Sequence, residues 1–211
     1  MLRRRDEFCI PGFNLVVIDV DGQISIQSAK WLLSDYTYIL YKTKRHTDKQ
    51  NRFRIVMPLS HELALNAEEF KQFMTNLYAW LPFEVDDQTG QRARKWLSNE
   101  TVCIEHQGEL LDALLFIPQT KKSEERRKII DSQQSMSNVE RWFANNTGIG
   151  NRSNHLIRYG YMLVDSGMAF DDIKNRILAF NGKLQNKLDE SEVYSTIMQT
   201  VSKAIHKRDT E

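Results

Sequence analysis

Asp19 and Asp21 stand one residue apart at the end of an apolar run, in the string NLVVIDVDG. Alternate side chains of an extended strand share a face, so both carboxylates point the same way. Two carboxylates that close repel, and one tends to keep its proton unless a cation lies between them. Paired aspartates therefore suit a hard divalent ion. They also suit a covalent scheme, in which the first attacks phosphorus and the second moves protons. A third account is plainer: Asp21-Gly22 is a turn and Asp19 a solvated strand end.

Other reactive side chains follow in order. Two strand-like segments, YTYILYKT and RFRIVMPL, flank the polar stretch KRHTDKQN, which reads as a hairpin with a charged tip. The tip carries His46, and Arg52 and Arg54 share one face of the outgoing strand. Guanidinium forks match phosphate oxygens, so a histidine and two arginines beside a metal site suit a triphosphate. Further on, FEVDDQTGQRARKW offers Asp86 or Asp87 as a third acid, with Arg94 on a basic turn beyond. Taken singly, each has a bland account: a loop histidine, an exposed sheet edge, a loop acid pair. Their succession is the stronger signal.

The elements that must position them can be read from periodicity. Asn14–Val20 is a buried strand rich in Leu, Val and Ile, and SIQSAKWLLSD is a short helix with Ala29, Leu32 and Leu33 inward. LNAEEFKQFMTNLYAWL is a helix, capped by Asn66 with Glu69 three residues on, and Phe70, Phe73, Leu77 and Leu81 recur at helical spacing. FEVDD reads as a short strand, RARKWL as a basic helical turn, and TVCIEH as a strand. Residues 118–136 are polar and charge-dense, a linker or exposed helix. From Ser137 the pattern is helical throughout. SNVE and DESE read as capping boxes, and Val193, Ile197, Val201 and Ile205 follow at four-residue spacing. The expectation is α+β: a unit over 1–117, the linker, and a small all-helical bundle over 137–211.

At these residues the chain resembles the archaeo-eukaryotic primase superfamily, in particular the primase-polymerases of phages and plasmids. The family's motifs are hydrophobic-Asp-x-Asp, small-x-His and hydrophobic-Asp. VVIDVDG matches the first. KTKRHT…NRFRIVMPL resembles the second, although Lys44 stands where the small residue belongs. FEVDDQTGQRAR is similar to the third, in which an aspartate precedes an arginine by about eight residues. That spacing selects Asp86 with Arg94 and keeps Asp87 in reserve.

The resemblance implies an RRM-like mixed or antiparallel sheet. It also implies two Mg²⁺ or Mn²⁺ ions on Asp19, Asp21 and Asp86, and nucleotide binding by His46, Arg52, Arg54 and Arg94. The segment from GIGNRSNH onward resembles the helical C-terminal domain of phage primases, through Gly150, Asn151, Arg152, Asn154, Gly167 and Asn181. That implies DNA contacts from Arg152, Asn154 and Arg158, a single-stranded DNA template, NTP or dNTP substrates, and a helicase or other replication protein as partner. Such cores usually begin with an α/β module ahead of the first aspartates. Only eighteen residues precede Asp19, so that module reads as missing or shortened.

A haloacid-dehalogenase-like phosphohydrolase is the rival reading. It would use Asp19 as nucleophile, Asp21 as acid/base and Asp86 or Asp87 as the later metal-holding acids, with Thr43 and Lys44 in support. It has Gln23 where a threonine is expected and leaves His46 and both arginines without work. A non-catalytic nucleic-acid-binding module is the third reading, with Tyr159 or Arg158 stacking bases unless Tyr159 belongs to the bundle core. Composition narrows little: net charge is +1, and 27% charged residues is ordinary. Cys9 and Cys103 are too few for a zinc site or disulfide framework, which points to a reducing cytoplasm. No apolar run approaches the ~20 residues of a membrane span.

Overall fold

The computed structural model describes Cys9 and residues 12–87, 90–97, 103–118, 124–125, 136–148 and 150–210. Contacts divide the chain into two compact units, Met1–Ile26 with Leu33–Asn138, and Gln27–Leu32 with Val139–Glu211. The charged stretch expected as a linker lies almost wholly outside the described residues.

The first unit is built on a four-stranded antiparallel sheet in the order β1-β3-β2-β4. Its strands are β1 (Phe13–Asp21), β2 (Tyr38–Lys42), β3 (Arg52–Leu63) and β4 (Ile104–His106). Helix α1 (Ile26–Leu32) follows β1, and α2 (Ala67–Trp80) follows β3. The α+β class is as the sequence predicts, and the sheet is antiparallel, one of the two arrangements that the resemblance implies. Strand alternation separates two faces. Val16, Ile18 and Val20 of β1 and Phe53, Ile55 and Met57 of β3 are all buried on one of them. Asp19, Asp21, Arg52 and Arg54 therefore lie on the other. Burying those six apolar side chains contributes on the order of 10 kcal/mol, at ~1.5–3 kcal/mol each.

Helix α2 starts where local chemistry dictates. Asn66 Oδ1 accepts from the backbone N–H of Glu68 and Glu69 at 3.0 and 2.9 Å, while the Glu69 carboxylate accepts from Asn66 N–H at 2.8 Å. Phe73 and Leu77 are fully buried, and Phe73 meets Phe13 and Phe116 edge-on at 5.6 and 5.7 Å.

Two sequence expectations fail here. FEVDD forms no strand: Asp86 N–H reaches the Asp19 carbonyl at 3.4 Å, one backbone bond along β1 rather than a ladder. RARKWL is not helical either. Arg94 N–H closes a turn on the Gln91 carbonyl at 3.1 Å, and the residues beyond run irregularly.

The second unit is helical: α3 (Asn138–Asn146), α4 (Arg152–Asp165), α5 (Phe170–Lys183) and α6, a continuous run from Glu190–Glu192 through a π turn at Val193–Met198 to Gln199–Thr210. Gln27–Leu32 groups with it, as Ser28 Oγ donates to Asp165 Oδ2 at 2.5 Å and the Trp31 ring packs tilted against Tyr161. Strict four-residue spacing drifts by about 40° per step around a 3.6-residue helix. The wider π turn absorbs that drift, and Val193, Ile197 and Val201 are all fully buried.

Gly160 of α4 lets α6 approach, since a Cβ there would stand 2.5 Å from Val201 Cγ2. Gly167, at φ +80°, closes α4, with Met168 N–H on the Leu163 carbonyl and Gly167 N–H on that of Val164. The expected DESE box does not form. The Asp189 side chain makes no capping bond, and Glu192 Oε1 instead accepts from Ser153 Oγ at 2.9 Å. Among the described residues no helix is long and apolar enough to cross a membrane.

Candidate functional site

The β1–β3 register sets Asp19 directly opposite Arg54 and Asp21 opposite Arg52. Arg54 Nε donates to Asp19 Oδ1 at 3.3 Å, and Arg94 Nη2 stands 4.0 Å from Asp19 Oδ2. Arg52 Nε lies 2.7 Å from Asp21 Oδ1, close enough for an ion pair but not aligned as a hydrogen bond. Gly22, at φ +92°, turns the chain away after Asp21, and its N–H donates to the Asn51 carbonyl at 2.7 Å. Only glycine adopts that conformation without strain.

These groups line one cleft of about 500 Å³. Its acids are Asp19, Asp21 and Asp86. Its cations are Lys44, Arg45, Arg52, Arg54 and Arg94. Five cationic side chains against three carboxylates favour a polyanionic occupant. Asp87 is exposed and does not line the cleft, so the eight-residue spacing to Arg94 selects the acid that does.

The two strand aspartates differ in solvation. The Asp19 side chain is 18% exposed and that of Asp21 48%. Burial pushes the Asp19 carboxyl above its usual range, against the pull of Arg54 and, more weakly, Arg94; nearby Asp86 raises it further. Desolvation prevails because the guanidinium contacts are long.

His46 sits at the hairpin but is not part of the cleft lining. Its Nδ1 accepts from Arg52 N–H at 3.2 Å, so the neutral ring carries its proton on Nε2. The expected histidine thus fixes the start of β3 and orients its own remaining donor.

Sequence reasoning passes over Trp96, Arg45 and the Leu97 carbonyl. Arg54 Nη1 donates to Leu97 O at 2.7 Å, and the guanidinium groups of Arg54 and Arg94 each lie 5.1 Å from the Trp96 ring centre. The one available signal was Trp96 two residues after Arg94. Arginine–aromatic contacts of this kind restrict the guanidinium orientation.

In the second unit Arg152 Nη1 donates to the Asn186 carbonyl at 3.1 Å, Asn154 is exposed, and Arg158 is half-buried. Tyr159 is core. It packs against Phe143 and Phe180, and burial pushes its hydroxyl up to about 12.

Carboxylate oxygens are suitable donors for Mg²⁺ or Mn²⁺. Asp19, Asp21 and Asp86 are the residues that would hold such an ion. Among the described residues, however, no three His, Cys, Asp or Glu side chains gather as a ligand set. Arg54 and Arg52 neutralise Asp19 and Asp21 instead. The donor chemistry fits a hard cation only once the arginines have another anion to bind.

No curated protein and no solved structure matches this chain. Its similarity to known families lies in the first unit, where residues 3–103 match the model of the VapE N-terminal domain, a stretch that includes every cleft residue named above.

Proposed function

We propose that this chain carries a primase or primase-polymerase core that makes primers on single-stranded DNA by nucleotidyl transfer. The observation that supports it best is the single cleft in which Asp19, Asp21 and Asp86 face five cationic side chains. At about 500 Å³ the cleft falls within the range of small-molecule sites, and its charges suit a triphosphate. Similarity to the VapE N-terminal domain favours a phage or plasmid replication setting; the partner proposed for that setting is a helicase or other replication protein.

In this reading the arginines exchange partners. Arg52 and Arg54 turn from Asp21 and Asp19 to phosphate oxygens of an NTP or dNTP, with Arg94 alongside. That frees the carboxylates. His46 lies outside the cleft lining, and its part is to position Arg52 through the bond from that residue's N–H to Nδ1. Bound Mg²⁺ or Mn²⁺ would activate the attacking 3′-hydroxyl and stabilise the leaving pyrophosphate. Arg52 and Arg54 then neutralise charge that develops in the transition state. Arg152, Asn154 and Arg158 contact template from the helical unit.

The phosphohydrolase alternative is the weaker account, because it assigns no task to the arginines that hold both aspartates. The second reading that an observation favours is a phosphate- or nucleic-acid-binding module without catalysis, since both strand acids are ion-paired. Template-dependent dinucleotide synthesis with Mn²⁺, comparing wild type with Asp19→Ala, separates them. The proposal expects product from wild type and none from the variant. Equal product overturns the mechanism, and nucleotide binding by wild type without synthesis supports the binding module.

A further inference from the structure

A second cavity of about 250 Å³ adjoins the charged cleft and shares Arg94 with it. Its character is different. Phe13, Leu15 and Val17 line it from β1, with Gln91, Arg92 and Trp96 from the segment after α2, so it is more apolar than the cleft and holds no acid. We propose that this cavity is a nucleobase subsite, seating one face of the base of the nucleoside triphosphate whose phosphates occupy the cleft and leaving its pairing edge open to the template. The inference rests on the phosphate-site reading above and adds the part of the ligand that reading leaves unplaced.

Three observations carry it. The first is alignment. Leu15, Val17, Asp19 and Asp21 lie on one face of β1 at intervals of about 7 Å, two residues of strand rise. Apolar lining thus passes directly into acidic lining along one strand, as a ligand with a flat apolar end and an anionic end requires. The second is size. The cavity is smaller than the ~300–1,000 Å³ typical of whole-ligand sites, so it has room for a heteroaromatic ring rather than a complete nucleotide. The third is chemistry. Trp96, approached by the guanidinium groups of Arg54 and Arg94, adds an aromatic rim, Gln91 an amide that both donates and accepts, and Arg94 joins the cavity to the cleft. Leu15, 52% exposed, is a large apolar side chain left open at this point of the strand.

Isothermal titration of ATP and of inorganic tripolyphosphate, each with Mn²⁺, tests the assignment. Wild type should bind ATP about tenfold more tightly or better, the factor expected of one base–aromatic stack. Leu15→Trp fills the cavity from an exposed position. It should abolish the preference and leave tripolyphosphate affinity unchanged. Equal wild-type affinities for the two ligands, or an unchanged preference in a folded Leu15→Trp protein, overturn the base subsite and leave the phosphate site standing. Binding of neither ligand removes both readings. Photolabelling of wild type with 8-azido-ATP needs no variant. Label is expected on peptides containing Phe13–Val17 or Gln91–Trp96, and label confined elsewhere overturns the subsite.

Discussion

Replacing Arg54 by methionine tests how the cleft is held together. Arg54 is 17% exposed at its side chain and makes three kinds of contact: the bond to Asp19, the bond to the Leu97 carbonyl, and the approach to Trp96. Methionine keeps the stem and removes all three. A hydrogen bond from a charged donor is worth ~1.5–3 kcal/mol, which sets the loss at Leu97. The Asp19 pair lies between an exposed bridge, ~0.2–1 kcal/mol, and a buried one, whose truncation costs ~3–5 kcal/mol. About 3 kcal/mol in total is expected, because Asp19 limits its own penalty by taking a proton. Arg54 supplies the two largest influences that lower the Asp19 carboxyl, so its removal raises that carboxyl further. Arg54→Lys keeps the charge and loses the fork, and should fall between wild type and Arg54→Met on both measures. Denaturant unfolding gives the stability, and carboxyl-carbon NMR titration gives the Asp19 ionisation. A double-mutant cycle with Asp19→Asn should show coupling above about 0.5 kcal/mol, the usual scatter for independent sites. Smaller coupling, together with an unmoved Asp19 titration, would refute the ion pair as the element that organises the cleft.

Asp19→Asn alone should raise stability at neutral pH while abolishing the proposed synthesis. The folded-state carboxyl titrates above its unfolded value, so its contribution is fully present below the ordinary carboxyl value of 3.8 and is lost as pH rises through the raised value. The advantage of the variant in unfolding experiments should therefore be largest near pH 7 and disappear in acid; the opposite slope rules out desolvation as the main influence. Gly160→Ala should destabilise the helical unit by about 1–2 kcal/mol, because overpacking against Val201 outweighs the better helix propensity of alanine; an unchanged unfolding midpoint contradicts the close α4–α6 approach. Asn181→Ala should cost about 2–4 kcal/mol, since it strands the buried Leu188 N–H and C=O that Asn181 satisfies at 2.9 Å each. Faster hydrogen exchange at the Leu188 amide is the direct readout, and an unaltered rate argues against that clamp.

What the sequence made legible was local. The Asn66–Glu69 box, the inward Phe73 and Leu77, and the shared face of Asp19 and Asp21 all follow from interactions within four residues or from strand period. The pairing of β3 with β1 was not legible, because register depends on partners distant in sequence. Placing Arg54 opposite Asp19 is a consequence of that register alone. FEVDD misleads for a related reason: its alternation is strand-like, yet Asp86 finds a single backbone bond along β1 and no ladder. Trp96 and Leu97 enter the site from irregular chain, where periodicity says nothing. The DESE string satisfies the capping pattern, but Glu192 is taken by Ser153 of another helix, a tertiary competitor no local rule contains.

The same alternation that builds the core also leaves the cleft free to change partners. Slipping β3 against β1 by one residue would carry Phe53, Ile55 and Met57 to the open face and Arg52 and Arg54 into the core. The apolar burial that opposes this slip is on the order of 10 kcal/mol. Cross-strand charge pairs contribute only ~0.2–1 kcal/mol each to a sheet. Asp19–Arg54 and Asp21–Arg52 are therefore placed by the fold without being needed to hold it. Truncating one arginine is costly because it strands the acid opposite. The proposed exchange is different: a phosphate would take the guanidinium while a cation takes the carboxylate, and no charge would be left alone. A site built this way can open to substrate while the sheet beneath it stays fixed, as the proposed nucleotidyl transfer requires.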